Sequence, residues 1–141
     1  MTTIRGSMRG MSLIELMIVV MIVGMLAAIA YPSYREFAAR ATRTEAKSAL
    51  LKAAVNQERY YLQNNKFSTD LNELGFSSNP YTTDTGTYVV TVAAPNPASN
   101  FTVTASYQFV DAEAGKCAVF TIDGRGVKES SPATDCWART R

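Results

Sequence analysis

Residues 13–30, Leu-Ile-Glu-Leu-Met-Ile-Val-Val-Met-Ile-Val-Gly-Met-Leu-Ala-Ala-Ile-Ala, constrain this chain more than any other stretch. At about 1.5 Å per residue, a helix of that length comes close to the ~30 Å of a bilayer's hydrocarbon core. Between Met11 and Tyr34 the one formally charged side chain is Glu15. A carboxylate costs roughly 2.5 kcal/mol or more at the bilayer centre and less near the interface, so Glu15 calls for a partner and is a functional candidate. Arg5 and Arg9 precede the run and the next positive charge is Arg35. That bias keeps the N-terminus cytoplasmic and sends everything after the run outward. Ala28-Ile29-Ala30 also has the form of an ordinary signal cleavage site. Against that reading, the run is longer than a secretory core and contains an acid that such a signal has no reason to carry.

Gly24 and Pro32 interrupt the run. Proline removes a backbone donor and crowds the carbonyl four residues earlier, so a bend over 28–32 is expected rather than a stop, because helical patterning resumes at once. From Ser33 to about Leu62, Ala46, Leu50, Ala53, Ala54, Gln57 and Tyr61 recur at spacings of three and four and draw one apolar stripe. Arg35, Arg40, Arg43, Glu45, Lys47, Lys52, Glu58 and Arg59 are assigned to the solvated remainder of that helix. Asp70, followed by Glu73 and Gly75, predicts one capped helical turn in the loop beyond.

After Gly86 the period becomes two. Strands are expected over 88–93, 101–109 and 118–122, with a short fourth at 127–129 after the reversal Asp123-Gly124-Arg125-Gly126. Turns are placed at 94–97 and 111–115. The greasy faces of these strands need cover, and the Leu50 stripe is the long helical surface available for it. The predicted class is therefore α+β. With 141 residues, 47% of them hydrophobic and 18% charged, there is room for one membrane helix and one small domain.

The order Gly10, Met11-Ser12-Leu13-Ile14-Glu15-Leu16-Met17-Ile18-Val19 behind a short basic leader resembles the signal of type IV prepilins and of type II secretion pseudopilins. The resemblance implies a type IV pilin fold: a long N-terminal helix, its first half transmembrane, packed on a three- to four-stranded antiparallel sheet with a C-terminal disulfide-bounded loop. It implies cleavage after Gly10 by a membrane peptidase that also methylates the new terminus at Met11, and a role for Glu15 in assembly with a neighbour's terminal amine. Met11 departs from the phenylalanine most members carry there. By the same resemblance the helix can bend or partly melt at Gly24 and Pro32. The implied organisation is a cleaved leader over 1–10, a membrane or filament-core helix over 11–34, its amphipathic continuation over 35–62, and a head over 63–141.

Cys117 and Cys136 lie on the exported side, where two thiols form a disulfide rather than a metal cage. Closing that loop stabilises a small domain by roughly 3 kcal/mol on the chain-entropy model. The disulfide-bounded region and the Cys136-Trp137 ending resemble minor type IVa pilins of the PilE type. The implied function is a structural pilus subunit, a minor pilin serving assembly or initiation and hence twitching motility, adhesion or attachment. Its implied partners are other pilins, the prepilin peptidase, the inner-membrane assembly platform and, before assembly, inner-membrane lipid. A major pilin, a DNA-uptake pilin and a secretion pseudopilin are the alternatives.

No cofactor or catalytic role is expected. The chain has no histidine, which removes the commonest general base and every His-containing triad or metal cage. Asp84, Asp111, Glu113 and Asp123 have no calcium-loop spacing, and no glycine-rich turn opens a helix for phosphate. A net charge of +2 does not by itself argue for nucleic acid; a DNA-binding head would rely on Arg125, Lys128, Arg139 and Arg141.

Overall fold

The structure, a computed structural model, describes residues 11–138. The leader with Gly10, together with Arg139 and Arg141, lies outside the described residues. Two compact units divide the chain, Met1–Phe37 and Ala38–Arg141. One helix, α1 (Leu13–Asn64), contributes to both.

In the first unit α1 begins where the Leu16 amide donates to the Ser12 carbonyl at 3.1 Å. Pro32 lies inside the helix, which continues past it as the sequence pattern requires. All described residues through Phe37 are exposed. An 18-residue window of α1 reaches a mean hydropathy of 2.7 with none of it buried.

In the second unit the same helix buries Arg43, Ala46, Ala49, Leu50, Ala53 and Gln57. The alanines at three- and four-residue spacing and Leu50 form the stripe that this half of the helix buries in the core. Asn65, at φ 54°, ends the helix, its amide donating to the Tyr61 carbonyl at 2.8 Å. This is a left-handed cap of the kind Asn tolerates.

The sheet has five strands in sequence order, all antiparallel: β1 (Tyr81–Thr82), β2 (Tyr88–Asn96), β3 (Asn100–Tyr107), β4 (Ala118–Asp123) and β5 (Lys128–Pro132). Inward residues stack across it in rows. Val90 faces Ala105, which faces Phe120, and Val92 faces Val103, which faces Ile122. These rows, with Tyr88 and Phe101, form one apolar core with Ala46, Leu50 and Ala53 of α1 and with Phe67, Leu71, Leu74 and Phe76 of the loop. At roughly 1.5–3 kcal/mol for each large side chain fully buried, this core is what holds the head together.

Three local features differ most from the sequence expectation. A two-residue β1 adds a fifth strand, too short to show a period. β2 runs through Pro95 to Asn96, with a register shift between Ala93 and Asn96, so the reversal falls over 97–99 and the Ser99 amide donates to the Asn96 carbonyl. Proline is tolerated there because the bulge takes it out of the ladder. A short helix, α2 (Ala114–Cys117), replaces part of the expected turn and ends at Cys117, directly before β4. The loop forms the capped turns expected over 71–75: Asp70 Oδ1 accepts from the Asn72 amide at 2.9 Å, and the Ser68 hydroxyl adds to the cap by accepting from the Asp70 amide at 2.9 Å and donating to Glu73.

Candidate functional site: an exposed apolar helix and a clasped head

Glu15 lies in the first turn of α1, where the helix's unpaired amides favour a negative charge. Ser12 and Glu15 also have the spacing of a capping box, a signal that the sequence reading passed over. Around Glu15 every described apolar side chain is open, including Leu13, Ile14, Leu16 and Met17. A Cβ at Gly24 would meet nothing within 4 Å, so space within this chain is not what the glycine provides.

The head is closed at its C-terminus by a disulfide between Cys117 and Cys136, 5.9 Å apart at Cα. Around it polar groups converge. The Tyr88 hydroxyl donates to the Cys117 carbonyl at 2.9 Å, and burial, then the Glu113 charge, hold its phenol well above its ordinary titration range. Lys47 donates to the Trp137 carbonyl at 3.2 Å while its ammonium lies over the Phe120 ring. Burial, then the charge of Arg43, depress its pKa. The indole of Trp137 packs edge-on against Phe120 and donates to the Glu129 carbonyl.

Arg43, placed by the sequence pattern on the solvated face, is instead buried and forms a two-pronged pair with Glu113, Nη2 to Oε2 at 2.6 Å and Nε to Oε1. Glu113 is held in turn by Asp111, whose Oδ1 accepts from the amides of Glu113 and Ala114. The partners are 70 residues apart. The sequence offered one signal, Arg43 three positions before Ala46 on the same stripe.

The basic candidates for DNA contact are partly committed within the head. Arg125 pairs with Asp123 at 2.9 Å through Nε and 2.8 Å through Nη2. Desolvation opposes ionisation of Asp123, but the Val127 and Arg125 amides and the guanidinium outweigh it and lower its pKa. Lys128 lies 5.4 Å from the Trp137 ring centre. Asp84 accepts from the Tyr81 hydroxyl, and Glu45 from the Thr85 amide and hydroxyl, on the wall of an open cleft that also includes Lys52 and Phe76. Among the described residues no three metal-ligating side chains come together.

A helix with a bare apolar half, an antiparallel sheet packed on its other half and a disulfide-closed end define a filament-subunit fold. Residues 32–121 match the family model described as "Type IV minor pilin ComP, DNA uptake sequence receptor", and residues 5–31 match the prokaryotic N-terminal methylation motif. The chain belongs to the type IV pilin family, a family of structural proteins. It is 40% identical over 102 residues to the type IV major pilin protein PilE1 of Neisseria gonorrhoeae, covering 70% of this chain and 54% of that protein. To the type IV major pilin protein PilA of Myxococcus xanthus it is 45% identical over 69 residues, 49% of this chain and 31% of that one. The chain thus spans about a third to a half of the length of these curated relatives. A type IV pilin structure from Shewanella oneidensis shares the fold, with a TM-score of 0.50 at 22% identity, covering 70% of this chain and 97% of that one.

Proposed function

We propose that this pilin is a minor subunit whose residues 1–10 are removed after Gly10, whose new terminus at Met11 is methylated by the prepilin peptidase, and whose helix over 11–34 then enters the filament core. Residues 35–62 continue that helix and 63–141 complete the head. The observation that carries this reading is the wholly exposed apolar half of α1 with Glu15 as its sole formal charge. Such a surface is stable in lipid or against like helices, and Glu15 is satisfied when a neighbour's terminal amine neutralises it. Gly24 and Pro32 supply the points at which this helix yields during packing. The subunit sits in the inner membrane, head outward, until the assembly platform moves it into the pilus, where it serves initiation and thereby motility or attachment. Intact mass of the chain extracted from membranes tests the processing. A mass beginning at methylated Met11 is expected; one beginning at Tyr31 overturns the proposal, because the apolar helix would then be discarded.

A second reading, a minor pilin that contacts duplex DNA, is favoured by the match of residues 32–121 to a DNA uptake sequence receptor model. Salt-sensitive binding of duplex DNA by the detergent-solubilised chain, weakened by Lys128→Ala with Arg125→Ala, is expected. No binding at low salt rules it out.

A further inference from the structure

Tyr31, Tyr34 and Phe37 are 66%, 70% and 71% exposed, and with Arg35 they crowd the last turns of α1 within the first unit. They follow directly on the apolar run, and the boundary of that unit falls just after Phe37. Core packing does not account for three large rings left in the open within about two turns of a helix. Tyrosine and arginine at the end of a hydrophobic span have a natural environment in the headgroup layer, where the ring's apolar body stays in hydrocarbon and its hydroxyl or guanidinium reaches water and phosphate. Pro32 points to the same depth independently. It has no N–H, so the Ala28 carbonyl loses its intrahelical donor. In hydrocarbon that unpaired oxygen would cost several kcal/mol, whereas near the headgroups water satisfies it.

We infer that Tyr31, Tyr34, Arg35 and Phe37 form an interfacial belt that binds the headgroup layer of the bilayer and thereby fixes the depth of Glu15. The inference rests on the membrane-anchored state proposed above, before assembly. With Tyr31 at one boundary of a ~30 Å hydrocarbon core, Glu15, sixteen residues away, lies about 24 Å along the helix, within roughly one turn of the opposite boundary. At that depth its carboxylate costs less than at the bilayer centre and waits there for a cationic partner. Loss of the belt lets the helix slide and leaves Glu15 without a fixed level.

Nitroxide labels on Leu16→Cys and Leu26→Cys, in the full chain reconstituted in phosphatidylethanolamine with a minority of phosphatidylglycerol, read this depth from collision with oxygen and a nickel chelate. The native cysteines are joined and do not take the label. The Leu26 label is expected in hydrocarbon and the Leu16 label near the far boundary. Replacing Tyr31, Tyr34 and Phe37 together by Ala should move the Leu16 label by about 5 Å, one helical turn, while replacing all three by Trp should hold it in place. An unmoved label in the alanine variant overturns the belt even with Leu26 in hydrocarbon. A Leu26 label exposed to water overturns the membrane anchoring itself, and the belt with it.

Discussion

The two halves of α1 are built from similar amounts of helix-compatible sequence, yet they meet opposite fates. In the first, Leu, Ile, Val and Met surround the axis and all stay exposed; in the second, small alanines on one stripe with Leu50 and Gln57 are buried while neighbours such as Leu51 and Val55 are not. A helix that is apolar all round has no preferred face, so lipid or many identical helices suit it equally, and it can exchange one for the other. A helix with one stripe commits to one partner, here its own sheet. The charges follow the same division. Glu15 stands in the open half without a described partner, whereas Arg43 in the committed half is matched within the chain by Glu113. Assembly chemistry is thus left unsatisfied at one end of the helix, and folding chemistry is completed along the other.

The sharpest way to break this contrast is Glu15→Gln. The amide still suits a capping-box position, so the helix keeps its start, but the charge is gone. Filaments containing the variant are expected to vanish, or the subunit to drop out of them, while the melting temperature of the head stays unchanged. Normal incorporation of the glutamine variant would show that Glu15 serves only the helix start.

On the committed half the matching change is Arg43→Ala. It leaves the Glu113 carboxylate buried and unpaired, which costs about 3–5 kcal/mol, a large part of a small domain's stability. Replacing both partners by apolar residues, Arg43→Met with Glu113→Leu, should restore most of the loss, because the desolvation of both charges is then avoided. Chemical denaturation measures both. An alanine variant as stable as the parent would return Arg43 to the solvated face.

The two halves were also unequally legible. The open half is local: length, apolar content, one acid and two arginines ahead of it are enough, because lipid imposes its demand on each residue separately. The head's strands were legible through alternation at Tyr88, Val90 and Val92 and at Phe101, Val103 and Ala105, and its disulfide through two cysteines in an exported region. Long-range pairing was not. Nothing near Arg43 announces Glu113, and nothing near Ser68 announces the buried Gln57 amide that brackets its backbone at 2.6 and 2.9 Å. β2 passing through Pro95 defeats a rule about proline that holds inside regular ladders and lapses at a bulge. The cap of the turns over 71–75 was legible at Asp70, whose Oδ1 accepts from the Asn72 amide; the Ser68 hydroxyl, which accepts from the Asp70 amide and donates to Glu73, adds to it.

The smallest effect expected concerns how the head holds its closed end. Tyr88→Phe removes the hydroxyl that donates to the Cys117 carbonyl and should cost about 1 kcal/mol at neutral pH. Its signature lies in alkali. The folded phenol titrates above its ordinary 10.0, chiefly because burial disfavours the phenolate. Above pH 10 the unfolded chain therefore loses a proton that the folded one keeps, and stability falls as pH rises, by up to about 1.4 kcal/mol per unit. Lys47 acts in the opposite sense. Its folded pKa is depressed, so the cost of holding it charged is relieved as pH climbs toward 10.5. Tyr60 and Tyr81, also raised above 10.0, act in the same sense as Tyr88, so the parent should lose stability above pH 10 and Tyr88→Phe should make that loss shallower. Equal slopes in the two proteins would mean that the Tyr88 hydroxyl is open to water and that the end closed by Cys117 and Cys136 is looser than its hydrogen bonds indicate.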